Sequence, residues 1–177
     1  MPETSETKAG FKWTPTAVGL LVAVILIALM WAFILSPWSK RGGVPTTLKD
    51  TAYTASAEQA CAATQARIKQ LPKAETAKSP EERAGVLDQA NAMVADLVDE
   101  LHALQPKVVD DRQYTEQWLT DWDSYLASRQ AYAKLLATGK DGRFTLQAEG
   151  GHAITERMDG FAVLNHMPSC QVPLDVG

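Results

Sequence analysis

The chain has 177 residues, 46% of them hydrophobic and 21% charged, with two cysteines and a formal net charge of −4. From Asp50 onward 19 acidic residues stand against 12 Lys and Arg, a net −7 that argues against nucleic acid as a partner, because phosphates are gripped by positive surfaces. Neither a metal nor any other cofactor is expected, since the three histidines and two cysteines fall at no ligand spacing.

Residues 1–14 form an N-terminal tail carrying Lys8 and Lys12, expected to be cytoplasmic. Residues 17–35 then run for nineteen positions without a charged, hydroxyl or amide side chain. As a helix rising about 1.5 Å per residue they cover roughly 29 Å, close to the roughly 30 Å hydrocarbon core of a bilayer. A transmembrane helix is therefore expected over residues 15–37. Pro15 suits its first turn and Pro37 its end, and Trp13 and Trp38 fall at the headgroup levels. Cleavage as a secretory signal is disfavoured, because the apolar stretch of such signals is only about 7 to 15 residues long and ends in a small-x-small site. The lipid bilayer is thus the first expected partner. Ala28 and Ala32 make a weak small-x3-small pattern for helix association.

Charge alone does not orient the span, since Lys8 and Lys12 before it balance Lys40 and Arg41 after it. The cysteines bear on the question. Cys61 and Cys170 bracket the soluble part, as a disulfide formed in an oxidising compartment would, and closing a loop that long stabilises by roughly 4 to 5 kcal/mol in the chain-entropy model. The alternative is two unrelated buried thiols, as in cytoplasmic proteins. The disulfide reading makes the protein a single-pass signal anchor of the cell membrane, N-terminus cytoplasmic and C-terminal domain extracytoplasmic.

Residues 38–47 are small, polar and broken by Gly42, Gly43 and Pro45, the composition of a flexible linker. Residues 48–177 follow as one helical domain. A first helix is expected over residues 48–71, with Ala57, Cys61, Thr64, Ile68 and Leu71 on one stripe. A second starts at Ser79-Pro80-Glu81-Glu82, which combines a cap, a first-turn proline and a capping glutamate. Its seam of Leu87, Ala90, Val94, Leu97, Leu101 and Leu104 is stopped by Pro106. The third, over 110–138, carries Trp118, Trp122, Tyr125, Arg129, Tyr132 and Leu136 at alternating steps of four and three, and ends at Gly139. Extended chain is expected over 144–147, a break at Gly150-Gly151, and a shorter helix over 155–166 that buries Met158, Phe161, Ala162 and Leu164. Short connections predict an antiparallel three-helix bundle closed by the fourth helix, an all-α fold.

No catalytic pattern stands out. The chain has no G-x-S-x-G or C-x-x-C, and no S-x-x-K beyond Ser5–Lys8 in the N-terminal tail, so an enzyme is not expected. His152 and His166 read as two exposed histidines, the alternative being a surface site for an adventitious ion, and Asp121, Asp123, Glu149 and Glu156 read as a solvated face. The candidate site is the cluster Trp118, Trp122, Tyr125, Arg129 and Tyr132. Its rings and guanidinium suit the walls and fork of a cleft for a planar or anionic ligand. The other reading makes it core, and this is preferred because a small bundle needs large apolar groups.

Asp123-x-Tyr125-x3-Arg129-x2-Tyr132-Ala133, followed by Asp159-Gly160-Phe161-Ala162-x2-Asn165-x-Met167-x-Ser169-Cys170, resembles the C-terminal part of a family of small single-pass membrane proteins of actinobacteria. The resemblance implies an extracytoplasmic helical domain with an intact cysteine pair, and no assigned activity. Two functions follow from these observations. The first is a membrane-anchored interaction domain, an accessory or scaffold component of an envelope or respiratory membrane complex, with a membrane or envelope protein as partner. The second is a small-ligand-binding module or hydrolase at the membrane surface.

Overall fold

The computed structural model describes residues 22–28, 30, 46–146, 148–149 and 152–175, and it divides into two compact units, Met1–Gly43 and Val44–Gly177. In the first unit residues 22–28 and 30 are helical, with exposed side chains at Val22, Val24, Ile25, Leu26, Ile27 and Met30. The remainder of the apolar run and its tryptophan flanks lie outside the described residues. Among the described residues no helix is long and apolar enough to cross a membrane, so the span over 15–37 rests on the amino-acid sequence alone.

Among the described residues of the second unit there are four helices, α1 (Thr51–Ile68), α2 (Pro80–Ala103), α3 (Val109–Leu136) and α4 (Ile154–Leu164), with single 3₁₀ turns at Ala74–Thr76 and Pro168–Cys170. The extended chain lies slightly later than the sequence predicts. Strands β1 (Ala148–Glu149) and β2 (His152–Ala153), two residues each, pair antiparallel just before α4.

The helix starts have local causes. The Asp50 carboxylate accepts the Tyr53 N–H at 3.1 Å at the head of α1. At α2 the Ser79 hydroxyl accepts the Glu82 N–H at 3.1 Å, while the Glu82 carboxylate reaches back to the Lys78 N–H at 2.8 Å. No side chain caps α3, but Asp110 and Asp111 place negative charge in its first turn, against the positive end of the helix dipole. Beyond the end of α3, Gly139 takes φ +76°, a left-handed conformation that favours glycine, while the one atom a Cβ would crowd is the tip of the exposed, flexible Glu81 side chain.

Polar ties show the helices to be antiparallel. Lys107, just past α2, donates its N–H to Asp50 at the head of α1 at 2.6 Å, and Arg83 near the start of α2 pairs with Asp141 beyond the end of α3 at 3.2 Å. Helix α2 packs on both α1 and α3, α4 packs on α3, and the Pro168–Cys170 turn packs on both α4 and α1. The all-α architecture agrees with the sequence, yet α1 is joined to α4 through that turn. Cys61 and Cys170 are bonded at this closure, both sulfurs fully buried, and no free cysteine remains.

The core gathers the expected stripes. Ala57, Cys61 and Ile68 of α1 meet Val94, Leu97 and Leu101 of α2, Trp118, Trp122 and Tyr125 of α3, and Met158, Phe161 and Ala162 of α4. A smaller cluster at the other end joins Leu87 to Tyr132, Ala133 and Leu136. The chain is fixed from Thr46 onward, inside the stretch read as linker. Asn165 donates to the Thr46 carbonyl at 3.1 Å and accepts the Leu48 N–H at 2.6 Å, while the buried Asp111 carboxylate accepts the N–H groups of Lys49 and Asp50, both at 2.8 Å.

Candidate functional site

Steps of four and three put Trp118, Trp122, Tyr125, Arg129 and Tyr132 on one face of α3, and all five are buried. The rings touch one another instead of lining an opening. Trp122 lies edge-on to Trp118 at 6.1 Å and to Tyr125 at 5.8 Å, Phe161 of α4 covers Trp118 at 5.3 Å, and Phe144 contacts both Tyr125 and Tyr132. Such edge-to-face contacts add to the burial of large apolar surface. The arrangement has a polar cost, because the indole N–H groups of Trp118 and Trp122 and the hydroxyl of Tyr53 have no hydrogen-bond partner among the described residues.

Arg129 has no exposed surface, and its charge is met from three directions. The Asp175 carboxylate takes NH1 and NH2 in a two-pronged pair at 2.5 and 2.7 Å, the Asn91 side-chain oxygen accepts Nε–H at 2.7 Å, and the Tyr125 hydroxyl accepts from NH1 at 3.2 Å. The guanidinium carbon also sits 5.6 Å from the Tyr125 ring centre. Burial pulls the Arg129 pKa down, but Asp175 and Tyr125 outweigh it and hold the group above its ordinary value. Burial in turn pushes the Tyr125 hydroxyl up, against the pull of Arg129. Arginine is suited to this place, since its planar fork matches a carboxylate and it stays charged when desolvated.

The partner that closes the site comes from the C-terminal segment. Residues 171–175 have no regular structure, and side chains hold them: Gln65 of α1 donates to the Gln171 carbonyl at 3.0 Å, Asp159 of α4 accepts the Val172 N–H at 2.8 Å, and the Tyr125 hydroxyl donates to the Pro173 carbonyl at 3.2 Å. Burial raises the Asp159 carboxyl above its ordinary value, partly offset by the Val172 N–H. Beside this segment lies an open cleft of about 310 Å³. Ile68, Leu71, Val86 and Pro173 give it an apolar lining, Lys69 and Lys73 a basic edge, and Asp175 stands at its side.

Comparison with protein-family models, curated proteins and solved structures returns no match. The assignment of a site therefore rests on chemistry alone. Asp121 departs from its expected place on a solvated face: it is buried and takes Nε and NH2 of Arg157 at 2.7 and 2.6 Å, an α3–α4 pair. Asp123 does lie outside, next to His102 at 3.1 Å, and His166 is exposed, in a left-handed conformation at φ 58°. Among the described residues no group of three or more His, Cys, Asp or Glu is placed to hold a metal. The sequence brought Tyr125 and Arg129 together by helical spacing. Asn91 and Asp175, 38 and 46 positions from Arg129, carry no periodic signal that could have pointed to them.

Proposed function

We propose that this protein is a membrane-anchored interaction module: one N-terminal span, a cytoplasmic N-terminus, and an extracytoplasmic helical domain that serves as an accessory or scaffold component of an envelope or respiratory membrane complex. The observation that carries the reading is the use made of the one buried cation in the aromatic cluster. Arg129, the residue best suited to seize a substrate anion, is bound on its fork by Asp175 of the same chain. The aromatic rings around it pack as core, and Asp111, Asp121 and Asp159 hold structural contacts. Support for the anchor comes from the nineteen-residue apolar run. An oxidising compartment is supported by the buried disulfide. The resemblance to actinobacterial single-pass proteins fits the same picture.

A small-ligand-binding role at the membrane surface is the second reading, favoured by the cleft beside the C-terminal segment. That cleft offers lysine, glutamate and aspartate, but its lining includes no serine, cysteine or histidine to serve a hydrolase as nucleophile. The test is purification of the full chain from membranes in mild detergent after brief cross-linking. An interaction module brings down the same membrane or envelope protein in stoichiometric amount on each preparation. Recovery of the chain alone, together with saturable binding of a small molecule, supports the second reading instead.

A further inference from the structure

We infer that the groove running from Gln65 across Asp159 and Tyr125 to Arg129 is a receptor for an extended acidic peptide, held in this structure by the chain's own C-terminal segment. The inference deepens the reading of this domain as an interaction module by naming its site and the chemistry of its ligand. The first observation is the manner in which residues 171–175 are bound. The segment forms no helix or strand, and its four anchors are side chains of three different helices. Gln65 meets a carbonyl, Asp159 an N–H, Tyr125 a second carbonyl, and Arg129 a carboxylate. Receptor side chains that read backbone groups along an extended strand and end on a charged residue form a peptide-recognition arrangement. Its specificity is legible: Pro173 is buried, Leu174 is 99% exposed, and the Asp175 carboxylate enters the guanidinium fork. The pattern read is therefore Val-Pro-x-Asp, with x unread.

The second observation is that the receptor side offers more than the segment uses. Asn91 is buried beside Arg129, and its Nδ2 donor has no hydrogen-bond partner among the described residues, so one more acceptor oxygen is provided for than Asp175 supplies. The cleft continues past Asp175 over Ile68, Leu71 and Val86 to the basic edge at Lys69 and Lys73. Lys73 reaches Glu75 only at 3.7 Å, and Lys69 has no ion-pair partner among the described residues. Glu75 and Asp175 also line this cleft, so its charge is mixed, and the acidic feature of a partner peptide that the groove reads is the carboxylate seated in the Arg129 fork.

The own segment sets the threshold. It starts at Cys170, which the disulfide pins to α1, so its effective concentration at the groove is on the order of millimolar or above. A partner peptide competes against that concentration, which makes the wild-type groove self-occupied and the release of Asp175 the step that opens it.

The experiment uses the full chain in detergent and a fluorescein-labelled heptapeptide of sequence Gln-Val-Pro-Leu-Asp-Val-Gly, read by anisotropy. Asp175→Ala removes the anchor of the tethered segment. Expected is at least ten-fold tighter binding of the heptapeptide to Asp175→Ala than to wild type, and at least ten-fold loss when the peptide's aspartate is replaced by asparagine. The melting temperature of the variant should stay within a few degrees of wild type, because release of the segment lets water reach Arg129. A merely structural ion pair gives the opposite pattern, a large fall in melting temperature with no peptide bound, and overturns the proposal. Equal binding of the two peptides overturns it as well. Should Asp175→Ala fail to fold, hydrogen exchange of the wild-type chain decides. The Val172 amide, bonded to Asp159, should exchange through a local opening well before the Trp122 amide, and exchange of Val172 only by global unfolding overturns the proposal. None of these readouts depends on the orientation of the chain in a membrane or on the identity of a complex.

Discussion

At the scale of single residues the domain is held by large groups buried with little polar compensation. Trp122 has no exposed surface, touches Trp118 and Tyr125 edge-on, and leaves its indole N–H without a hydrogen-bond partner among the described residues. Its stabilising contribution is therefore burial and ring contact, reduced by the desolvated N–H. Trp122→Ala removes the ring and leaves a cavity in the core, and it should cost roughly 3 to 5 kcal/mol. Thermal and denaturant unfolding of the full chain measure this, and an unchanged melting temperature would refute the placement of Trp122 in the core. Arg129 differs in kind. With the C-terminal segment seated, its burial is tolerable because Asp175, Asn91 and Tyr125 satisfy the guanidinium together, so its partners are coupled and their effects on stability will not add.

At the scale of elements the closing feature is a turn. The 3₁₀ turn Pro168–Cys170 joins α4 to α1, Cys170 is bonded to Cys61, and Glu58 of α1 accepts the Ser169 N–H at 2.9 Å. Cys170→Ser frees the turn from α1 and restores to the unfolded chain the entropy of a loop with a sequence separation of 109, at a cost of roughly 2 to 5 kcal/mol. The expected readout is a lower melting temperature that reductant no longer shifts, while wild type falls toward it when reduced. Identical melting of oxidised and reduced wild-type chains would contradict this.

The same elements show what could be read in advance. Helices α2 and α3 were legible because Leu87, Ala90, Val94, Leu97 and Leu101, and Trp118, Trp122, Tyr125 and Arg129, repeat at helical steps, with Ser79 as a start and Gly139 as a stop signal. Helix α1 is three residues shorter at each end than its apolar stripe implies. The Asp50 side chain already caps it at the front, and the chain turns away after Ile68 toward Pro72. What no period could reveal were the long-range polar ties: Asp111 to the backbone of residues 49–50, Asn165 to residues 46–48, Asp121 to Arg157, and Asp175 to Arg129. Their partners lie tens of residues away, and an aspartate that will be buried against a backbone N–H looks, in sequence, like one that faces water.

At the scale of the whole molecule two features support the proposed topology. The apolar run of residues 17–35 has the length of a bilayer span, and the domain beyond it carries a disulfide buried in its core, a bond kept in oxidising compartments. Within the domain the described chain is already held at Thr46, whose carbonyl accepts from Asn165. The orientation is checked by labelling. Thr76 is exposed in the short 3₁₀ turn between α1 and α2, where a new side chain disturbs no core contact, and the native cysteines are both bonded. Thr76→Cys should therefore react with a membrane-impermeant maleimide on intact cells, with wild type unlabelled in parallel. Labelling of Thr76→Cys that appears only after lysis would reverse the orientation, and with it the case for a partner on the outer side of the membrane.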